Sequence, residues 1–269
     1  MGAKPNGNGP AAHGRCCLYG SRAGKCLARS RPGTEKMLAG RSASRRRAVV
    51  LASFTAGPPL ARSRPMKIIC IGRNYADHIA ELHNEVPAAP VIFLKPETAL
   101  LQRGQPFFIP EFSQDIHHEL ELVLRVSKNG RHIDEPFAHT YFDAIGLGID
   151  FTARDLQTEL KKKGLPWELA KAFDGSAPIS PVFKPVADFA DLANINFRLD
   201  VNGETRQTGN SGLMLHPFAR IISFVSKYIS LKMGDLIFTG TPAGVGPVRV
   251  GDQLAGFLEG EKLLELSVR

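Results

Sequence analysis

Hydrophobic and polar positions alternate through residues 119–126, where leucines at every second place separate Glu119 from Glu121 and follow them. A period of two predicts a β-strand, with the leucines facing a core and both glutamates facing the other side. Residues 144–150 repeat the alternation and end on Asp150. Two glycines fall on the same face as this aspartate, so the pattern predicts open space beside its carboxylate.

Period and turn residues predict short strands and few helices for the rest of residues 66–269. We predict further strands at 67–71, 91–94, 197–201, 204–207 and 235–238, hairpin turns at Asn129-Gly130 and Asn202-Gly203, and helices at 75–85, 152–163 and 216–229. Thr152, with Asp155 three residues later, predicts a capped start of the middle helix, and Gly164 predicts its end. Because strands outnumber helices and hairpins join them, the predicted fold class is α+β and β-rich.

Charge divides the chain into two regions. Residues 1–65 carry 13 Lys/Arg and one acidic residue, whereas residues 66–269 carry 21 Lys/Arg and 25 acidic residues, so the net charges are +12 and −4. The composition of the first region predicts a disordered basic extension. It is a transit peptide, a nucleic-acid-binding arm, or a segment upstream of a true start at Met66. We therefore expect the second region to be the folded domain, in the cytoplasm or, if the extension is a genuine transit peptide, in mitochondria.

Apolar runs and cysteines exclude several classes of protein. The apolar run from Ala48 to Phe54 is too weak for a secretory signal and too short to span a membrane, so no membrane association is expected. Cys70 is the one cysteine of residues 66–269, which leaves no disulfide framework and no zinc-ligand spacing there. The apolar sequence around Cys70 predicts a buried thiol.

Three carboxylates gathered in one pocket repel one another strongly unless a cation lies between them. Oxygen ligands suit a hard divalent ion, Mg²⁺ or Mn²⁺, better than zinc. Glu119, Glu121 and Asp150 are therefore candidate metal ligands. The alternative is that the two glutamates lie on the wet face of an ordinary antiparallel strand.

His78 and Glu81 are three residues apart on the first predicted helix and therefore share a face. A carboxylate beside an imidazole fixes its tautomer and raises its basicity, as a general base for water requires. The alternative is a surface contact on a helix.

Basic residues downstream of Asp150 offer further chemistry. Arg154 could clamp a carboxylate bidentately, or it could form a structural salt bridge. Lys171, and less strongly Lys95, could stabilise a developing oxyanion. The run of three lysines at 161–163 indicates a solvated helix end that suits the helix dipole.

The glycine-rich segment 239–246 lacks the Gly-Lys-Ser/Thr ending of a P-loop. Its backbone amides and threonine hydroxyls could still bind a carboxylate. The chain has no Gly-x-Ser-x-Gly motif and no dinucleotide-binding fingerprint, which argues against a serine triad and a nicotinamide cofactor.

Several motifs occur in order along residues 66–269. They are Gly72-Arg73-Asn74-Tyr75-Ala76-Asp77-His78, Phe93-Leu94-Lys95-Pro96, His118-Glu119-Leu120-Glu121-Leu122, Thr152-Ala153-Arg154-Asp155-Leu156-Gln157, Lys161-Lys162-Lys163-Gly164-Leu165-Pro166-Trp167, and Gly234-Asp235 through Gly246. Together they resemble the fumarylacetoacetate hydrolase family, in particular its short branch of acylpyruvate hydrolases and oxaloacetate decarboxylases. The resemblance covers essentially all of residues 66–269.

The resemblance implies a mixed β roll with a short helical lid, usually as a homodimer, with Mg²⁺ or Mn²⁺ held by Glu119, Glu121 and Asp150. It implies that the catalytic residues are His78, Glu81 and Lys171. We expect the substrate-binding residues to be Arg73, Lys95, Arg154, Asp155, Gln157, Thr239, Gly240 and Thr241.

The implied activity is metal-dependent C–C bond cleavage in small 2-oxo acids, by hydrolysis of acylpyruvates or decarboxylation of oxaloacetate, through a stabilised enolate. An isomerase or tautomerase of 2-oxo-dienoic diacids or of oxaloacetate is the alternative, because it needs only enolate formation and reprotonation. Nucleic-acid binding through the basic extension is an alternative of another class, and we do not expect it of residues 66–269.

Overall fold

The computed structural model describes residues 67–82 and 85–269, so the predictions for residues 1–65 lie outside the described residues. The strands are β1 Ile68–Gly72, β2 Val91–Lys95, β3 Ile116–His118, β4 Leu120–Val126, β5 Phe142–Ile149, β6 Thr152–Ala153, β7 Lys184–Pro185, β8 Asn196–Val201, β9 Glu204–Asn210, β10 Leu236–Phe238, β11 Gly246–Pro247, β12 Gln253–Leu258 and β13 Glu261–Ser267. The α-helices are α1 Ala76–Glu81, α2 Arg154–Lys163, α3 Glu168–Lys171 and α4 Phe218–Tyr228. The β-rich α+β prediction is confirmed. Within the described ranges, no helix is long and apolar enough to cross a membrane.

Three sheets build the described part of the chain. The largest has the strand order β2-β1-β10-β4-β5-β7, and the others have the orders β11-β3-β6 and β13-β12-β8-β9. Within the largest sheet β1 and β10 are parallel, whereas β4 is antiparallel to both β10 and β5. One hydrophobic cluster joins the largest sheet, the four-stranded sheet and α4, through residues such as Leu122, Leu254 and Ile221. The site strands β4 and β5 therefore run through the middle of the molecule.

The alternation in β4 and β5 has the predicted outcome. Leu120, Leu122 and Leu124 are fully buried in the core cluster. Glu121 pairs with Gly148 in the register between the two strands, so Asp150 lies just beyond the same end of the sheet. The pairing of two alternating strands brings the carboxylates to one edge.

The space beside the glycines of β5 is filled by aromatic rings, which corrects the expectation of room beside Asp150. A Cβ atom at Gly148 would lie 2.5 Å from the ring of Phe238, and one at Gly146 would lie 2.9 Å from the ring of Phe183. These glycines serve packing and not the carboxylate.

The Asn129-Gly130 hairpin prediction is wrong. Residues 127–141 form a long connection between β4 and β5 that includes a 3₁₀ helix at Glu135–Tyr141. Gly130 exchanges two backbone hydrogen bonds with Leu231, and the Asn129 side chain accepts one from the Met233 amide. A local turn signal was overridden by pairing with a distant segment. The Asn202-Gly203 turn does join β8 to β9, as predicted.

Two helix boundaries also differ from the predictions. Thr152 belongs to β6, so α2 begins at Arg154 and has no side-chain cap, while Gly164 ends it at a positive φ of 64° as expected. The first helix spans Ala76–Glu81 instead of 75–85. Thr152 is drawn out of the helix because its strand pairs with β3.

Candidate active site

The three carboxylates converge at the ends of β4 and β5. Glu119 precedes β4, Glu121 lies within it, and Asp150 follows β5. Each offers an oxygen within 4.8 Å of the oxygens of the other two, and all three residues are at most 4% exposed. Burial excludes the wet face of a strand. Buried carboxylates at this spacing require compensating positive charge.

Lys171 supplies part of that charge from the end of α3. Its Nζ donates to Glu119 Oε2 at 2.7 Å, to Asp150 Oδ2 at 2.7 Å and to the Thr152 hydroxyl at 2.6 Å. Burial would lower the pKa of Lys171, but Asp150 and Glu119 outweigh it, so the pKa is raised. Lys171 is therefore a permanent cation between two carboxylates.

Arg154, the first residue of α2, approaches Glu119 from the other side. It donates one hydrogen bond to Glu119 and another, of 2.6 Å, to Gln157 Oε1. Burial would raise the pKa of Glu119, but Lys171 and Arg154 hold it well below its usual value. Glu119 is ionised at any physiological pH.

Glu121 is the least compensated member of the cluster. Its Oε2 accepts a 2.7 Å hydrogen bond from the Gly240 amide, while burial, Asp150 and Glu119 raise its pKa well above the usual range. A cation placed among the three carboxylates would favour its charged form. The donor set, three carboxylate oxygens from three residues, fits a hard divalent ion such as Mg²⁺ or Mn²⁺.

His78 and Glu81 lie on α1 at the mouth of the site. His78 Nδ1 is 3.2 Å from Glu81 Oε2, and because a carboxylate only accepts, Nδ1 donates and Nε2 is left as the acceptor. Burial lowers the pKa of His78, although Glu119 opposes the shift. The other oxygen of Glu81 accepts from the Gly244 amide at 3.0 Å. The pair thus presents a neutral imidazole and ties α1 to the glycine-rich segment.

One cavity gathers most of the predicted site residues. Its wall contains Arg73, His78, Glu119, Glu121, Asp150, Arg154, Gln157, Lys171 and Thr241. The free volume is about 30 Å³, room for little more than a water molecule. A small organic acid therefore needs side chains or α1 to move before it can bind.

Four of the residues predicted to bind substrate do not line this cavity. Lys95 is buried beneath it, with Nζ 2.8 Å from Asp150 Oδ1 and hydrogen-bonded to carbonyl oxygens of Lys171 and Ser176. Asp155 accepts from the Ser113 hydroxyl and the Gln114 amide. The two remaining residues, Thr239 and Gly240, bind the Leu122 carbonyl and the Glu121 carboxylate. Lys95 and Gly240 therefore support carboxylates that line the cavity, whereas Asp155 and Thr239 bind residues outside its wall.

Gln207, on β9, is a positioning residue that the sequence did not indicate. Its Oε1 accepts from the Leu120 amide at 2.9 Å and from His118 Nδ1 at 3.0 Å. Its amide nitrogen donates to the Thr241 hydroxyl at 2.8 Å. Gln207 therefore joins the glutamate strand to the glycine-rich segment, and no local pattern in a polar hairpin strand predicts this.

Lys161 and Trp167 also line the cavity, although the lysine run predicted a solvated helix end. The signal that finds Lys161 is its position in α2, seven residues after Arg154 and four after Gln157. These three residues fall at i, i+3 and i+7, which is one face of a helix.

Comparison with known proteins identifies the family. The model described as fumarylacetoacetate (FAA) hydrolase C-terminal matches residues 67–268. Human oxaloacetate tautomerase FAHD1, described as mitochondrial, is 44% identical over 209 residues, which are 75% of this chain and 94% of that protein. Oxaloacetate tautomerase YcgM of Escherichia coli K12 is 44% identical over 198 residues, 73% of this chain and 90% of that protein.

Solved structures that are similar to this chain indicate the same family. A fumarylacetoacetate hydrolase family protein from Yersinia pestis CO92 has a TM-score of 0.73 at 41% identity, covering 77% of this chain and 95% of that one. Fumarylpyruvate hydrolase from Pseudomonas aeruginosa, solved in complex with Mn²⁺ and pyruvate, has a TM-score of 0.71 at 34% identity, covering 76% of this chain and 89% of that one. The chain therefore belongs to the fumarylacetoacetate hydrolase family.

Proposed function

We propose that this chain catalyses keto–enol tautomerisation of oxaloacetate or a closely similar 2-oxo acid. The observation that carries the proposal is the neutral His78, tethered by Glu81 at the rim of a buried carboxylate cluster. Among the activities that the family resemblance implies, C–C cleavage was the first expectation and tautomerisation the alternative. It now stands first because relatives 44% identical to this chain are named oxaloacetate tautomerases.

Each residue of the site has its own role in the proposed tautomerisation. His78 Nε2 takes the proton from C3 of the keto acid and delivers it to the 2-oxo oxygen to give the enol, or carries the hydroxyl proton of the enol back to C3, while Glu81 holds the ring in the required tautomer. Glu119, Glu121 and Asp150 would hold a hard divalent ion, which would supply Lewis-acid polarisation of the 2-oxo group. Lys171 and Arg154 keep Glu119 ionised, and closure of α1 over the site excludes water.

Ultraviolet absorbance of the enol tests the proposal. Enzyme with added Mg²⁺ should accelerate the decay of enol oxaloacetate to its equilibrium level, and chelator should abolish the effect. The His78→Asn variant should lose nearly all of it. Acceleration that persists unchanged in His78→Asn would refute the assignment of the proton acceptor.

Cleavage of a C–C bond is the second candidate, favoured by the similarity to a fumarylpyruvate hydrolase. The same His78–Glu81 pair could orient a water molecule toward the distal carbonyl of an acylpyruvate. Measuring pyruvate release from acetylpyruvate and from oxaloacetate, beside the tautomerase assay, ranks hydrolysis, decarboxylation and tautomerisation.

Assembly and compartment stay predictions. A homodimer is proposed from the family resemblance, and light scattering of the full chain tests it. Localisation in the cytoplasm or in mitochondria is tested by imaging the full chain with a C-terminal tag.

A further inference from the structure

Two cations in the cavity wall share one indole ring. We call the side formed by Arg73, Lys161 and Trp167 the outer end, because these residues are partly exposed whereas the three carboxylates of the inner end are buried. The Arg73 guanidinium lies 5.9 Å and the Lys161 ammonium 5.5 Å from the centre of the Trp167 ring. Across the part of the chain that the structure describes, neither has a carboxylate within 4.0 Å, whereas Arg154 and Lys171 both do. The outer end therefore carries positive charge that no carboxylate of residues 67–82 and 85–269 pairs with directly.

Arg73 is held in a conformation that an arginine rarely adopts. Its φ is +58°, in the left-handed region where glycine is favoured. Its Nε is buried and has no hydrogen-bond partner. A strained backbone that presents an unsatisfied donor at a cavity wall points to a missing acceptor.

Lys161 is placed by α2 on the same face as Arg154 and Gln157. Burial, then Arg154 and Arg73, lower the pKa of Lys161 to about 8. An ammonium group crowded by two guanidinium groups gains most from an anion.

We propose that Arg73 and Lys161 together bind the distal carboxylate of a 2-oxo dicarboxylic acid, and that this pair selects dicarboxylic over monocarboxylic substrates. The inference rests on the proposed function for its orientation, since the 2-oxo end of the acid lies toward Glu119, Glu121 and Asp150. Trp167 positions both cations by cation–π contact. Lys161 and Trp167 are thereby specificity-determining residues.

Binding without turnover tests this pair. Malate and 2-hydroxybutyrate are stable acids that differ only at C4, which is a carboxylate in malate and a methyl group in 2-hydroxybutyrate. Calorimetry of the Mg²⁺-loaded protein with each acid therefore measures how much the distal carboxylate adds to the binding affinity. Trp167 is the only tryptophan of the chain, so its fluorescence reports whether the ligand reaches the outer end. Malate should bind about tenfold more tightly, as expected for hydrogen bonds to a charged group.

Variants then show which residues cause the preference for malate over 2-hydroxybutyrate. Arg73→Gln and Lys161→Gln should each remove most of the preference for malate and leave 2-hydroxybutyrate binding unchanged, while Arg73→Lys and Lys161→Arg should retain most of it. Lys163→Gln, which removes the same charge from an exposed position of α2, is the matched control. Arg73→Gly should lose the preference without lowering the thermal midpoint, because glycine relieves the positive φ.

Preference for malate that survives in both Arg73→Gln and Lys161→Gln, or that is absent from the wild type, would overturn the assignment. The result is separable from the proposed function. Failure of the tautomerase assay together with a malate preference that depends on Arg73 removes the reaction and keeps the anion site. Tautomerase activity without a preference for malate keeps the reaction and removes the anion site.

Discussion

The two ends of the cavity differ in whether their charged side chains are paired with groups of opposite charge. At the inner end, Glu119, Glu121 and Asp150 face three cations, and two of the carboxylates are bound directly to them. At the outer end, Arg73 and Lys161 share Trp167 and have no carboxylate among the described residues. The inner end is nearly neutral and the outer end is positive.

The difference shows how one site can serve two purposes. Glu119 and Asp150 keep their geometry without a ligand because each is already paired with cations, whereas Glu121 is held by the Gly240 amide and has no cation within 4.0 Å among the described residues. Adding a divalent ion there makes the whole cavity strongly positive, so an acid with two carboxylates is the natural counter-charge. The inner end is therefore expected to set the chemistry and the outer end the choice of acid.

The largest effect should follow from removing charge at the inner end. Glu121→Gln keeps the size of the side chain but removes a ligand charge, so turnover should fall by about 10³-fold or more, the value of several kcal/mol of charge stabilisation. Steady-state assays with and without chelator measure it. The exposed Glu159→Gln is the control. Unchanged activity in Glu121→Gln after exhaustive chelation would contradict a metal-dependent reaction.

The next largest effect should follow from changing Glu81, on α1. Glu81→Gln removes the orienting charge and leaves one acceptor oxygen for two donors, His78 Nδ1 and the Gly244 amide. Proton transfer should therefore slow by about 10²–10⁴-fold. Tautomerisation and acylpyruvate hydrolysis should both fall, and decarboxylation, which needs no base, should fall much less. Glu85→Gln, an exposed glutamate nearby, is the control. Equal losses for all three reactions would mean that the pair acts through closure of α1.

Replacing Lys95 tests whether the pairing of buried charges at the inner end stabilises the fold. Lys95→Met leaves Asp150 and two carbonyl oxygens without their buried cation, so the free energy of unfolding should fall by about 3–5 kcal/mol. Denaturant titration measures it. Lys184→Met breaks a half-exposed pair with Glu261 and should lower it by under about 1 kcal/mol. Equal and small losses would return Lys95 to its predicted role in substrate binding.

The smallest effect concerns pH at the outer end. With a pKa of about 8, Lys161 is charged below pH 8 and neutral above it, so the KM for oxaloacetate should rise as pH passes through 8. Arg154, Arg73 and Lys171 favour the neutral form of Lys161, and Glu119 opposes them. The Lys161→Arg variant should show no such rise. A rise of the same size in that variant would assign the effect to another group.

Much of the inner end could be predicted because it depends on local periodicity. Alternation placed Glu119 and Glu121 on one face of their strand and Asp150 on the glycine face of its own, and neither inference required knowledge of distant contacts. The antiparallel pairing that brings Asp150 to the same edge is a contact between strands, and the structure supplies it.

The parts that could not be predicted depend on long-range contacts. Gln207 acts across segments far apart in sequence, and Asn129-Gly130 pairs with a distant loop instead of closing a hairpin. Lys161 was predictable in principle from its spacing to Arg154, but a run of three lysines suggested a uniformly solvated helix end. Side-chain periodicity outweighed composition at that position.

The close packing of Gly148 against Phe238 constrains how this sequence can diverge. A single added methyl group at Gly148 would meet this ring at 2.5 Å and the Val123 side chain at 2.8 Å, so Gly148 can change only if both neighbours change with it. Phe238 lies two residues before Gly240, whose amide binds Glu121. A smaller residue at Phe238 would therefore loosen both the strand that leads to Asp150 and the segment that binds Glu121. The three positions should diverge together, with a replacement at Gly148 alone less fit than one accompanied by smaller residues at Phe238 and Val123.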